Sequence, residues 1–289
     1  MTIPGPVIHP EALPSTASAD QLRVRPGPDG EVSIDPGLAG WRYLSFRVVR
    51  LVGGAEFPIG RPGEEALVVN LVGGDVRLSI DQDEDRLVAG RDSVFDGPPS
   101  AFYLPADRRA IIRPVGHDPG VVTVLAIAGA PSRPEAAATL RPVAIEPDGI
   151  RLETRGSGHA TRYIRHIVPP EFPADRLLVV EVVTPAGHWS SWPPHKHDVD
   201  AMPGEAVLEE IYHYRFRRPE AWAIQRLYRR PERGLPPRDA LWAVRDGEVV
   251  LVTDGYHPFA ANTADDAFYL NALAGDRRTM ACSFDPDLI

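Results

Sequence analysis

Hydrophobic residues in this chain come in short bursts broken by Gly, Pro and Asp, not in long helical stripes. In the first half the clearest are YLSFRVVRLV, EALVVNLVGGDVRLSI, AFYLPADRRAIIRPV and GVVTVLAIAG. RLLVVEVVTPAG, EEIYHYRF, AWAIQRLYRR, ALWAVRDGEVVLV and AFYLNALAG follow in the second. Val, Ile, Leu and aromatic side chains dominate these runs, and most are too short for helices. Turn residues recur about every 8 to 12 positions, the spacing of a sandwich or barrel. The pattern predicts an all-β fold. Helical periodicity is scarce, and SRPEAAATLRP (132–142) supports one short turn of helix.

The halves repeat in outline. GGDVRLSI with the later FYLPADRRAIIRPV resembles DGEVVLV followed by GYHPF. Each half closes on an apolar strand and a small-residue turn, VLAIAGAP and YLNALAGD. Two similar β-domains joined near Pro131–Pro147 would give this repeat. The expected division is an irregular Pro-, Ser- and Ala-rich arm over 1–25, a first domain over 26–140 and a second over 141–289.

Composition narrows the chemistry. The 289 residues suffice for one large or two ordinary domains. No apolar run approaches the roughly 20 residues that span a bilayer, so no membrane association is expected. The N-terminus lacks the basic start and apolar centre of a signal peptide, and cytoplasmic residence is the expectation. Cys282 is the single cysteine, which excludes an internal disulfide and a thiolate zinc cluster. Any metal must be held by His, Asp or Glu. A net charge of −9 argues against nucleic-acid binding.

One segment, GHWSSWPPHKHDVDAMPGEAVLEEIYHY from Gly187 to Tyr214, concentrates the candidate ligands. Residues at i and i+2 of a strand share a face, so His195 and His197 aim the same way. Pro193 and Pro194 cannot donate ladder hydrogen bonds and suit the start of a strand. In LEEIYHYRF, Glu210, Tyr212 and Tyr214 share one face, whereas Glu209, Ile211 and His213 take the other. Only one glutamate can face the imidazoles, and Glu210, with two tyrosines beside it, is the choice. His257 follows a strand and turn, VVLVTDGYHP, that could return it to the same place. Three imidazoles and a carboxylate suit Zn, Fe, Mn, Ni or Co better than Ca or Mg, with open positions for catalysis. Taken alone, a His-x-His pair is more often two solvated strand residues.

These residues resemble the metal motif of the cupin superfamily. The strings GHWSSWPPHKHD, LEEIYHYRF, DGEVVLVTDGYHP and YLNALAG are similar to the 5-deoxy-glucuronate isomerase family of inositol catabolism. RGSGHATRYIRHI (155–167) is similar to the segment that opens that family's second domain. The resemblance implies a bicupin, two double-stranded β-helix barrels of which the first has lost its metal site. Residues 41–130 agree in holding one histidine, His117, and no His-x-His. It implies His195, His197, Glu210 and His257 as ligands of a divalent transition metal, zinc ahead of Mn, Fe, Ni and Co. It implies intramolecular aldose–ketose isomerisation of 5-deoxy-glucuronate to 5-dehydro-2-deoxy-gluconate. AMPGEAV and the tail SFDPDLI depart from the family pattern, which leaves their local structure open.

The partner expected is a small-molecule sugar acid. Tyr212, Tyr214, Gln225 and Tyr269 are candidates to shuttle a proton or orient a hydroxyl, and proton and hydride routes both stay open. Arg162 and Arg165 are candidates to bind the substrate carboxylate, whereas Lys196 and Arg226 alternate away from the site. Unpaired β-edges make a homo-oligomer plausible. A cupin-type Fe(II) dioxygenase and a non-catalytic sugar-binding module are the competing readings.

Overall fold

The computed structural model describes residues 18–81, 84–116, 118, 120–231 and 237–289. His117 and positions 1–17 of the expected arm lie outside the described residues. The apolar runs form antiparallel strands. A six-stranded sheet has the order Val143–Ile145, Ala101–Leu104, Glu64–Val72, Val122–Pro131, Ser45–Val52, Val32–Ile34. A four-stranded sheet of Phe57–Ile59, Ala110–Pro114, Val76–Ile80 and Glu84–Val88 completes the first half.

In the second half a seven-stranded sheet runs Arg23–Val24, Val249–Val252, Glu209–Phe216, Ala267–Ala274, Leu177–Thr184, Arg162–Val168, Arg151–Arg155. A four-stranded sheet of Trp189–Ser190, Phe259–Ala261, Trp222–Arg229 and Arg238–Arg245 lies with it, and His195–Lys196 pairs with Ser283–Phe284. No helix among the described residues is long and apolar enough to cross a membrane. The helix in the connection is Pro134–Thr139, started by a proline whose missing N–H costs nothing at that position.

The two large sheets bury both faces. Val49, Leu51, Val68 and Leu125 share a core with Leu78, Ile80 and Ile112 of the small sheet. On the opposite face Phe46, Val48, Leu67 and Val69 join Ile164, Val179 and Ile211 of the second half. Strands covered on both sides have no polar face, which explains continuous apolar runs such as ALVVNLV. Each Val or Leu so buried contributes about 1.5–3 kcal/mol relative to exposure.

Two carboxylates lock the halves together in matching ways. Glu65 accepts the backbone N–H groups of Asp175, Arg176 and Leu177 at 2.8, 2.6 and 2.8 Å. Glu209 accepts those of Arg42, Tyr43 and Leu44 at 2.7, 2.8 and 2.7 Å. Edge strands are exchanged as well. Arg23–Val24 pairs with Val249–Val250 of the second half, and Val143–Ile145 pairs with Ala101–Tyr103 of the first. The arm is therefore not irregular throughout: Ala19–Leu22 forms a 3-10 turn, and Leu22 is fully buried in the core. Likewise the strand just past the expected junction at 140/141 completes the first half's sheet. Both departures have one cause, an edge whose N–H and C=O groups need partners.

Candidate metal centre

Glu210 lies on an interior strand, Glu209–Phe216, paired with Val252 on one side and Leu273 on the other. Strand alternation turns Glu210 to the face opposite Glu209, whose carboxylate is spent on the 42–44 backbone. The ligand atoms of His197, Glu210 and His257 lie within 4.8 Å of one another, and all three residues are buried. His197 Nε2 is 2.9 Å and His257 Nε2 3.2 Å from the same oxygen, Glu210 Oε2. His195 stands beside this trio. Its ring centroid is 4.6 Å from that of His257 and 6.3 Å from that of His197.

Backbone carbonyls fix how the imidazoles present themselves. His197 Nδ1 meets the Leu208 carbonyl at 2.9 Å and His257 Nδ1 meets the Gly255 carbonyl at 3.0 Å. A carbonyl can only accept, so each Nδ1 carries a proton and each Nε2 faces Glu210, where it donates to the carboxylate when protonated and offers a lone pair to a cation when not. His257 Nε2 is buried without a hydrogen-bond partner: it is near Glu210, but the alignment is not that of a hydrogen bond. Two imidazole nitrogens and a carboxylate oxygen converging at this range need a proton or a cation among them. The donor set, nitrogen and carboxylate oxygen with second nitrogens anchored to carbonyls, fits a divalent transition metal.

Electrostatics point the same way. Burial pushes the Glu210 carboxyl up, but His257 and His197 outweigh it and hold it down at about 2. Burial pulls the His195 imidazole well below its ordinary value, helped by His257 and His197, so it is neutral near pH 7. Burial pulls His197 down too, yet its hydrogen bond and attraction to Glu210 leave it raised.

Neighbouring side chains hold the ligand segments. Lys196 turns away from the trio and bonds Asp198 and Glu205, each at 2.9 Å. Glu205, from the divergent AMPGEAV stretch, also accepts the N–H groups of Asp198 and Val199 and so closes that loop. Gly255, at φ +86°, lets the turn before His257 pass Tyr228; a Cβ there would sit 2.4 Å from the Tyr228 carbonyl oxygen. Gln225 donates to the His257 and Pro258 carbonyls at 2.9 and 3.1 Å and accepts from the Tyr214 hydroxyl at 2.9 Å. Tyr214 and Gln225 thus brace the His257 segment. The Tyr212 hydroxyl bonds Ser191 at 2.7 Å, with its ring 5.9 Å from that of His257, and the Tyr269 hydroxyl bonds Ser190. Burial raises both tyrosine hydroxyls above their ordinary range, so each keeps its proton.

A cavity of about 310 Å³ opens on His195, His197 and Glu210, and its wall includes Arg162 and Phe284. None of Tyr212, Tyr214, Gln225 and Tyr269 lines it. Arg162 is 8% exposed, donates to the Ala160 carbonyl at 3.0 Å, and has no ion-pair partner among the described residues. Gly156 makes room for it, since a Cβ there would lie 2.8 Å from Arg162 Nη1. Arg165 is elsewhere. It bonds Glu181 at 3.2 Å and the Val94 carbonyl at 2.7 Å, away from the cavity. Three residues apart on one strand, Arg162 and Arg165 face opposite ways, so they do not meet one ligand. His213 faces away from the trio, against Phe46 of the first half at 5.8 Å, and His166 bonds Glu153. Sequence reasoning missed Arg155, Cys282 and Phe284 in the wall. The tail reaches the site because Phe284 pairs with His195.

A buried His/Glu/His cluster on an antiparallel β-sheet framework defines a cupin-type protein. A variant of Bacillus subtilis oxalate decarboxylase shares that fold, at TM-score 0.56 and 12% identity over 88% of this chain and 74% of that one. The match at residues 21–289 is to the KduI/IolB family, and the chain belongs to it. The 5-deoxy-glucuronate isomerase of Geobacillus kaustophilus is 35% identical over 264 residues, 91% of each chain. That of Listeria innocua is 31% identical over 92% of this chain and 93% of its own. An IolB-like protein of Salmonella typhimurium superposes at TM-score 0.81, with 32% identity over 89% of this chain and 93% of that one.

Proposed function

We propose that this protein is a metal-dependent aldose–ketose isomerase that converts 5-deoxy-glucuronate to 5-dehydro-2-deoxy-gluconate in the cytoplasmic breakdown of inositol. The observation that carries this reading is one cavity lined both by ligands of the His/Glu/His cluster and by the unpaired Arg162. Relatives named 5-deoxy-glucuronate isomerase, matching about nine-tenths of the chain, support the substrate.

His197, Glu210 and His257, with His195 as the fourth donor, would hold a divalent transition metal, zinc first among the candidates. When bound, such an ion polarises an aldehyde carbonyl and its neighbouring hydroxyl. Arg162 would clasp the sugar carboxylate. A guanidinium nine-tenths buried without an anion is costly, and a bound carboxylate removes that cost. Isomerisation moves one hydrogen between adjacent carbons. Phe284, from the tail, forms part of the wall of the cavity in which this would happen. Tyr212 and Tyr269 keep their protons, which suits them to donate hydrogen bonds and not to act as the base.

The test is elemental analysis of the purified chain, paired with proton NMR of the substrate's aldehyde signal. About one metal per chain, and loss of turnover in His257→Ala, are expected. Full turnover by chelator-stripped protein would overturn the reading.

A further inference from the structure

A second cavity, of about 1020 Å³, opens in the first half. Its floor is the inward face of the six-stranded sheet, with Arg47, Glu64, Ala66, Ile127 and Gly129. Strand pairing makes it the counterpart of the metal centre. Glu65 stands opposite Ala130 as Glu209 stands opposite Ala274, and these two glutamates make the matching backbone clamps. One residue further, Ala66 takes the place of Glu210. Ala66 pairs with Leu104 as Glu210 pairs with Val252. Five residues beyond each partner come Arg109 in one half and His257 in the other. Where the second half puts a carboxylate and an imidazole, the first puts a methyl group and a guanidinium. A cation site has become one that favours an anion.

The charges in this cavity are unevenly committed. Arg61 pairs with Asp35 at 2.9 Å and Arg113 with Glu56 at 2.7 Å. Arg47 and Arg109 have no ion pair and no side-chain hydrogen bond among the described residues. Arg47 lies on the face that carries Val49 and Leu51 into the core, a setting where a lone cation is disfavoured. Glu64, 4.0 Å from Arg61, faces the same space as an acceptor. Asp81 also lines the cavity, but its carboxylate pairs with Arg108 and accepts the Arg109 backbone N–H at 3.0 Å. With that charge answered, two guanidiniums beside Glu64 leave room for a single negative charge, and the Glu64 carboxylate is suited to accept hydrogen bonds from hydroxyls.

We propose that this cavity binds a small hydroxylated carboxylate of the sugar-acid class, its carboxylate held between Arg47 and Arg109 and its hydroxyls against Glu64. The site is separate from the metal centre and does not depend on the reaction assigned to it.

Titration calorimetry of D-glucuronate into the full metal-loaded chain tests this, with an Arg47→Gln, Arg109→Gln double variant beside the wild type. The wild type is expected to show a binding event that weakens about tenfold or more per arginine in the variant. Isomerisation and the circular-dichroism spectrum should stay unchanged. If the wild type shows one event and the variant abolishes it, this site stands, whatever the metal centre binds. Superimposable isotherms for the two proteins would overturn the proposal. So would equal binding of neutral D-glucose, or inorganic phosphate binding as tightly as glucuronate, which would mark a mere anion trap.

Discussion

The carboxylate of Asp198 accepts the backbone N–H of Gly255 at 2.8 Å, tying the segment of His195 and His197 to the turn that carries His257. The same side chain bonds Lys196, so the ligand segments share one brace. Orientation of ligands by their neighbours is commonly worth 10–100-fold in metal affinity. Asp198→Ala should weaken metal binding by about that factor while the strands persist. Competition with a chromogenic chelator, alongside circular dichroism, checks it; unchanged affinity would reduce the contact to loop packing.

Arg162 should act on substrate affinity and leave the metal alone. Arg162→Met is expected to lower kcat/KM about 100-fold, mostly through KM, with metal content intact. Arg165→Met should instead destabilise the fold, because it leaves Glu181, which is fully buried, with Arg91 in place of two guanidinium partners. Steady-state kinetics and urea unfolding of the pair separate the roles. A KM effect from Arg165 equal to that from Arg162 would contradict the assigned geometry.

The matching clamps are predicted to contribute to stability in parallel. Glu65→Gln and Glu209→Gln each replace a charged acceptor of three N–H groups with an amide whose NH₂ must face donors. Each should cost about 2–4 kcal/mol, read from urea midpoints. A loss below about 0.5 kcal/mol at both would show that the two clamps do not hold the halves together.

His213 gives the fold an acid-sensitive element. Burial, with a smaller push from Arg215, pulls its imidazole from 6.5 to about 3. Between those values the unfolded chain binds a proton that the folded chain refuses. The stabilisation is complete above pH 6.5 and drains as the pH falls towards 3, at up to about 1.4 kcal/mol per pH unit. His213→Leu should flatten the fall in urea midpoint between pH 7 and pH 5. An identical slope in variant and wild type would locate the sensitivity elsewhere.

Much of this could be read from residue order because strands have a period of two. That rule places Glu210 with Tyr212 and opposite His213, and the structure shows the same division. It also implied that Arg162 and Arg165 face apart, a consequence the substrate-binding assignment overlooked. His257 was reachable through family likeness, since no local period spans the chain between it and Glu210. The contribution of Phe284 left no trace in its own neighbourhood, because its partner, His195, is remote in sequence. Arg23–Val24 and Val143–Ile145 are too short to carry a hydrophobic pattern, so the exchange of edges was illegible.

That exchange decides how the molecule can be taken apart. Severed near the connection, the first piece would keep Arg23–Val24 with nothing to lie against and expose Ala101–Leu104. The second would lose the ribbon that covers Val249–Val252, on the strand just before the turn to His257. Mixed together, the fragments have a reason to find each other that neither has to stand alone. Restored isomerase turnover on mixing separately purified pieces, each inert by itself, would be the mark of this mutual dependence.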